Sequence, residues 1–123
     1  MDDKILGLRT VIYMVPNVEK AKKWYAEAFE IEPYFDEPFY VGFEVGGYEL
    51  GLHPEKPDQK RGDSVEAYWG VEDIDARYAN FLKLGAKEHT EIKEVGGGIK
   101  VATCLDPWNN VIGLIYNPHF KRS

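Results

Sequence analysis

The chain has 123 residues and a net charge of −6, with 44% hydrophobic and 29% charged residues. These values are typical of one soluble globular domain, and the negative balance argues against nucleic acid and anionic membrane surfaces as partners. The single cysteine, Cys104, excludes an intrachain disulfide, and its apolar neighbours predict a buried, unreactive thiol. No apolar stretch is long enough to span a membrane. The N-terminal Met1-Asp2-Asp3-Lys4 lacks the features of a signal peptide, so we expect a cytoplasmic location.

The first half of the chain predicts one helix between strands. Asn17 is a candidate N-cap, because its side chain can accept hydrogen bonds from backbone N–H groups two or three residues later. Apolar residues then recur at helical spacing from Val18 to Phe29. Residues 31–38 carry two prolines and are predicted to be irregular. The strands are predicted at Leu8–Val15, Phe39–Val45 and Tyr48–His53, with Gly46-Gly47 as a hairpin turn.

The second half predicts the same kinds of element after a polar linker at residues 55–63. Asp73 is the candidate N-cap of a helix that begins at Ile74, and Gly85 is its stop signal. Three consecutive glycines at 96–98 are predicted to form a hairpin turn, since no helix follows them that would make a phosphate site. The strands are predicted at Val65–Val71, Glu88–Val95, Ile99–Leu105 and Val111–Tyr116, with a tight turn over residues 106–110.

The two halves repeat each other. Val15 and Val71, which precede the two candidate caps, are 56 residues apart (71 − 15), and the glycines of two similar short strands, Gly51 and Gly113, are 62 apart (113 − 51). We therefore predict an α+β fold of two tandem βαβββ modules within one domain, with mixed sheets covered by a helix on one side. The modules are predicted at residues 6–54 and 64–118.

The element order, the cap positions and the turn Asp106-Pro107…Asn110-Val111-Ile112 resemble the vicinal oxygen chelate superfamily. That superfamily includes glyoxalase I, extradiol dioxygenases and bleomycin-binding resistance proteins. The resemblance covers about residues 6–118. It implies curved sheets that enclose a cavity, commonly in a homodimer, and we expect a homodimer here.

The resemblance also implies where a metal would bind. Metal-dependent members place one ligand in each module's first strand, seven residues before the helix cap, and a Glu in each module's last strand. These positions hold Thr10, Glu66, Gly51 and Gly113 in this chain. Glycine offers no side-chain donor and threonine is a poor ligand, so we predict that the usual metal site is absent and that no cofactor binds.

Residues two apart in a strand point to the same face, so the strand neighbours of these four positions are also expected to line the cavity. The two glycines either leave space for a ligand or only permit close packing of the chain. The high aromatic content of 14% either lines a cavity or fills the core. His53 is either a cavity acid–base group or an exposed side chain beside the linker. The predicted ligand-binding residues are Thr10, Ile12, Met14, Glu49, Gly51, His53, Glu66, Tyr68 and Gly113.

Glu66 is the candidate catalytic residue, because a carboxylate in an apolar cavity is costly unless it has a partner. It can pair with a ligand amine, act as a general base, or only bond a neighbouring side chain. Glu49, His53 and Glu66 together are a candidate displaced metal site.

Three functions are compatible with the sequence. The first is a metal-independent protein that binds an organic, cationic or aromatic ligand in the cavity between the modules. The second is a lyase or isomerase of glyoxalase type that uses Glu66 as base, with or without a displaced metal. The third is a structural or regulatory domain whose cavity is packed shut.

Overall fold

The computed structural model describes residues 5–62 and 64–120. The chain divides after Pro57 into two compact units. Each unit contains a four-stranded sheet and one helix, so the predicted α+β class is confirmed. Within the described part of the chain, no helix is both long and apolar enough to cross a membrane.

The first unit is built from one helix and four strands. Helix α1 spans Val18–Phe29, and the strands are β1 (Thr10–Val15), β2 (Phe35–Glu37), β3 (Tyr40–Val45) and β4 (Tyr48–Pro54). The strand order is β1-β4-β3-β2, in which β1 runs parallel to β4 and the other neighbours are antiparallel. As predicted, Asn17 caps α1, because its side chain accepts a 2.9 Å hydrogen bond from the N–H of Lys20.

Alternating side chains divide the first sheet into a covered face and an open face. Tyr13, Leu50, Leu52 and Phe43 are buried on the face that carries α1, and Tyr13 stacks on Tyr25 of the helix with ring centroids 5.6 Å apart. Their strand neighbours therefore lie on the opposite, open face. Burial of the covered face supplies the core of this unit.

The second unit repeats the order of the first. Helix α2 spans Ile74–Lys83, and the strands are β5 (Tyr68–Gly70), β6 (Lys87–Glu94), β7 (Lys100–Leu105) and β8 (Val111–Tyr116). The strand order is β5-β8-β7-β6, with β5 parallel to β8. Asp73 caps α2 by accepting from the N–H of Ala76 at 3.0 Å, and Gly85 adopts a φ of 106° directly after the helix, so both predicted helix signals are confirmed.

The core of the second unit lies between α2 and one face of its sheet. Phe81 and Tyr78 of the helix are buried, as are Ala102, Cys104, Ile112 and Leu114 of the central strands. The prediction of a buried Cys104 is confirmed, and burial, followed by the nearby charge of Asp106, raises the pKa of its thiol to about 12. A thiol that stays protonated at neutral pH is a poor nucleophile.

Two element predictions were wrong. Residues 31–38 were expected to be irregular, but Phe35–Glu37 forms β2, because it pairs along the free edge of β3. The strand expected at Val65–Val71 is reduced to Tyr68–Gly70, because only these residues pair with β8. Glu66 therefore precedes the strand and lies on an exposed segment.

Candidate functional site

The open face of the first sheet brings most of the predicted ligand-binding residues together. Thr10, Ile12 and Met14 of β1 alternate with the helix-facing side chains, and Glu49, Gly51 and His53 of β4 do the same. The parallel register places Thr10 beside Glu49 and Ile12 beside Gly51. The predicted shared face of these residues is confirmed for the first unit.

Two neighbouring glycines on this face leave backbone without side chains. Gly42 of β3 and Gly51 of β4 are direct cross-strand partners. A Cβ atom on Gly51 would overlap the hydroxyl of Tyr40 and lie 2.6 Å from its Cζ, and one on Gly42 would lie 3.1 Å from the Tyr34 ring. Two tyrosine rings therefore lie over backbone that only glycine leaves accessible.

Glu49 is the polar centre of this face. Its Oε1 accepts a 2.9 Å hydrogen bond from the Thr10 hydroxyl, and its Oε2 accepts a 2.5 Å bond from the Tyr34 hydroxyl. The Tyr40 hydroxyl, which lies over Gly51, is close enough to this carboxylate for the charge of Glu49 to act on it. We call Thr10, Tyr34, Tyr40 and Glu49 the Glu49 cluster.

The Glu49 cluster keeps its two phenols protonated. The hydrogen bond to Glu49 is the main cause of the raised pKa of Tyr34. For Tyr40, burial, then the charge of Glu49 and then the hydrogen bond to it raise the pKa from 10.0 to about 12. An ionised phenol beside a carboxylate would place two like charges in contact, which disfavours ionisation.

We expect Tyr40 to make the stability of the protein sensitive to alkaline pH. Since its pKa is raised from 10.0 to about 12 in the folded state, its contribution is complete below pH 10 and is lost as the pH rises towards 12. The Tyr40→Phe variant should therefore lose less stability than the wild type over this interval, as measured by urea unfolding at several pH values. Equal pH dependence in the two proteins would contradict the assignment.

Apolar rings border the Glu49 cluster. The Phe35 ring lies 6.1 Å from Phe39 and 6.2 Å from Tyr40, measured between centroids. Phe35, Phe39 and Tyr34 keep 40%, 62% and 64% of their surfaces exposed. Exposed aromatic rings beside a carboxylate offer both π faces and negative charge to a cation.

Sequence reasoning missed part of this site. Tyr34 and Gly42 were not among the candidates, although the alternation of Tyr40, Gly42 and Glu44 along β3 carried a usable signal. Of the two alternatives for Gly51, the structure favours close packing of the chain, because the Tyr40 ring occupies the space above it. His53 is half-buried rather than exposed, and its Nδ1 lies 2.7 Å from the carbonyl oxygen of Pro54.

The second unit places its candidates differently. Glu66 is exposed and accepts a 2.8 Å hydrogen bond from the Tyr68 hydroxyl, which is the main cause of the raised pKa of Tyr68. The Tyr68 ring lies over Gly113, where a Cβ atom would approach it to 2.7 Å. The space above Gly113 is therefore filled by a tyrosine ring, as is the space above Gly51.

The donor set does not fit a catalytic metal ion at the positions that the resemblance indicates. In the first unit these positions are Thr10, whose hydroxyl already donates to Glu49, and Gly51 beneath Tyr40. In the second unit they are Glu66 and Gly113, of which only Glu66 has a side chain that can bind a metal. A divalent ion needs several convergent nitrogen or carboxylate donors. Across residues 5–62 and 64–120, no three His, Cys, Asp or Glu side chains form such a group.

Comparison with known proteins gives a consistent family. The model of the glyoxalase/bleomycin resistance protein/dioxygenase superfamily matches residues 7–114. No curated protein sequence matches the chain significantly.

Several solved structures share the fold. A glyoxalase-related enzyme from Fulvimarina pelagi superposes with a TM-score of 0.80 at 14% identity, covering 97% of this chain and 94% of that one. A superfamily member from Sphaerobacter thermophilus gives 0.76 at 19% identity, covering 92% and 98%. A lactoylglutathione lyase from Agrobacterium tumefaciens gives 0.71 at 15% identity, covering 96% and 100%. Identities this low establish a common fold and leave activity to the site itself.

Proposed function

Since the chain belongs to the glyoxalase/bleomycin resistance protein/dioxygenase superfamily, we propose that it is a metal-independent small-molecule-binding protein whose ligand is an organic cation with aromatic character. The ligand binds on the open face of the first sheet, at the Glu49 cluster. One observation carries the proposal: Glu49 is a hydrogen-bonded carboxylate for which the described residues provide no cationic partner. Two ion pairs of the first unit join Lys22 to Glu19 and to Asp36, on the helix-covered side of the sheet.

The electrostatics of the cluster favour a positive ligand. Glu49 is half-buried, so its charge is less screened than that of an exposed carboxylate. Its two hydroxyl partners, Thr10 and Tyr34, are neutral at pH 7, since the hydrogen bond to Glu49 raises the pKa of Tyr34 above its ordinary value of 10.0. The cluster therefore carries one negative charge that a cationic ligand can neutralise.

The surrounding rings favour a ligand with a flat or apolar part. Phe35 and Phe39 pack edge to face and remain accessible. Burial of an aromatic ligand group against them releases water from apolar surface, and a cation near a ring face gains a further 0.5–2 kcal/mol, roughly. This combination of one charge and several rings is typical of small-molecule sites.

The first test is calorimetric titration of the whole protein with benzyltrimethylammonium. We expect binding by the wild type and at least a tenfold loss of affinity in Glu49→Gln, on the order of 1.4 kcal/mol, because the variant keeps the side-chain shape but removes the charge. The affinity should be the same with and without a metal chelator. Benzyl alcohol and benzenesulfonate, of similar size but neutral and negative, should bind much more weakly.

Glu44 is the matched control for Glu49. It lies directly across from Glu49 on the neighbouring strand, but it is exposed and accepts its hydrogen bond from the N–H of Gly47. The Glu44→Gln variant should keep its affinity within about twofold, since an exposed charge is screened by solvent and salt. Equal losses of affinity in the two variants would show that only the net charge of the protein matters and would contradict a site at Glu49.

A lyase or isomerase of glyoxalase type is the second candidate function. The observation that favours it is the exposed Glu66 carboxylate, which a single phenol hydrogen bond from Tyr68 orients. A base in this position would take a proton from carbon next to a carbonyl group. Activity on a hemithioacetal should then fall at least about a hundredfold in Glu66→Gln and persist in the exposed neighbour variant Glu72→Gln. Unchanged turnover in Glu66→Gln would remove Glu66 as the base.

A further inference from the structure

The number of hydrogen bonds already made by Glu49 determines which cations it can accept. A carboxylate has about four lone-pair positions. Thr10 and Tyr34 each occupy one, on different oxygens. About two positions therefore remain on Glu49, one on each oxygen, which is fewer than the three N–H donors of a primary ammonium group.

We propose that the Glu49 cluster selects peralkylated cations, such as quaternary ammonium groups, over primary ammonium groups. This inference rests on the proposed function and specifies its ligand class. A primary ammonium has three N–H donors and needs acceptors for them when it leaves water. At Glu49 it would have to displace hydroxyl donors or leave its own donors unsatisfied, whereas a quaternary ammonium has no N–H group to satisfy.

The position of the rings supports the same selection. The Tyr34 hydroxyl donates to Glu49, the Tyr40 ring lies over Gly51, and the Phe35 ring lies 6.2 Å from the Tyr40 ring. The alkyl groups of a quaternary cation spread its charge over an apolar surface that fits against aromatic faces. Cation–π attraction requires no hydrogen-bond donor, and quaternary ammonium ions are bound by aromatic side chains in this way in other proteins.

Two charged side chains next to the Glu49 cluster make hydrogen bonds of their own. Glu44 shares the open face, but it is exposed to solvent and its carboxylate accepts from the N–H of Gly47 in the β3–β4 turn. The Arg9 guanidinium, next to Thr10 in the chain, donates to the carbonyl oxygens of Leu6 and Leu8. Among these groups the half-buried carboxylate of Glu49, each oxygen of which already accepts one hydrogen bond, is the one beside the aromatic rings.

The test compares three ligands that are all positively charged at pH 7: benzylammonium, benzyldimethylammonium and benzyltrimethylammonium. We expect calorimetric affinity to rise with methylation, with the trimethyl ligand binding at least tenfold more tightly than the primary ammonium. Primary ammonium binding as tightly as the trimethyl ligand, or more tightly, would overturn the selection and leave the proposed function standing. Failure of all three ligands to bind would overturn both.

Tyr34→Phe separates this selection from the greater hydrophobicity of the methylated ligands. The variant keeps the ring but releases the hydrogen-bonding position on Oε2 of Glu49. The preference for trimethyl over primary ammonium should then fall at least threefold. Tyr78→Phe is the matched control, since its hydroxyl donates to the carbonyl oxygens of Thr90 and Thr103 instead, and its preference should equal that of the wild type. A preference that Tyr34→Phe leaves unchanged would show that ligand hydrophobicity alone sets the order and would overturn the inference.

Discussion

The Gly113→Ala variant is expected to lose about 1–3 kcal/mol of unfolding free energy, because the new methyl group has no space. A Cβ atom at this position would lie 2.5 Å from the backbone carbonyl oxygen of Ala67 and 2.7 Å from the Tyr68 ring. That carbonyl also accepts the N–H of Gly113 at 2.9 Å, next to the short pairing of β5 with β8. The backbone of β5 must therefore move, and its three paired residues offer little to hold it. Urea unfolding followed by circular dichroism measures the loss.

Gly51→Ala is the matched control, since Gly51 is the equivalent residue of the first unit. The three atoms nearest to its Cβ would all belong to the outer end of the Tyr40 side chain. This side chain can rotate away without moving the backbone, so the unfolding free energy should fall less than in Gly113→Ala. Affinity for benzyltrimethylammonium should fall instead, because Tyr40 leaves the Glu49 cluster. A larger stability loss in Gly51→Ala than in Gly113→Ala would contradict this account.

The Asp106→Ala variant is expected to lose about 2–4 kcal/mol of unfolding free energy, because it leaves partly buried backbone donors without an acceptor. Asp106 is fully buried. Its Oδ1 accepts from the N–H groups of Trp108 and Asn110, both at 2.8 Å, and its Oδ2 accepts from the Asn110 side chain at 2.9 Å. These bonds hold the turn between β7 and β8, in which Asn109 adopts a left-handed φ of 70°. Urea unfolding is again the measurement.

Asp106→Asn distinguishes the loss of hydrogen bonds from the loss of volume. The asparagine oxygen can still accept both backbone N–H groups, but its amide group would face the donor of Asn110. We expect about half of the alanine loss. A loss in Asp106→Asn as large as that in Asp106→Ala would show that the carboxylate charge, rather than the acceptor geometry at Oδ1, stabilises the turn.

Features with local causes were predicted well. The caps at Asn17 and Asp73, the turns at 46–47 and 96–98 and the stop at Gly85 were all recognised, because each depends on a few neighbouring residues. The repeated order of elements followed from them. The errors at β2 and β5 concern short edge strands, whose existence depends on a partner that is distant in the chain.

For the candidate site, alternation along the strands correctly placed Thr10, Glu49 and Gly51 on one face. It did not identify Glu49 as the centre. The sequence indicated Glu66 instead, because the resemblance assigned that position a ligand. Tyr34 lies outside the strands. Its backbone N–H donates to the carbonyl of Gly42, and this bond holds the Tyr34 ring over Gly42, within reach of Glu49.

The amino-acid sequence by itself determined the two βαβββ modules, the caps and turns that delimit them, and the glycines at positions 51 and 113, where the resemblance would place metal ligands. These follow from residue identity and from interactions over a few positions. Only the tertiary structure decided that tyrosine rings fill the space above those glycines and that the hydroxyls of Thr10 and Tyr34 both donate to Glu49. The physical reason is that cross-strand register brings together residues that are far apart in the chain, as with Thr10 and Glu49, and register is set by the packing of whole sheets.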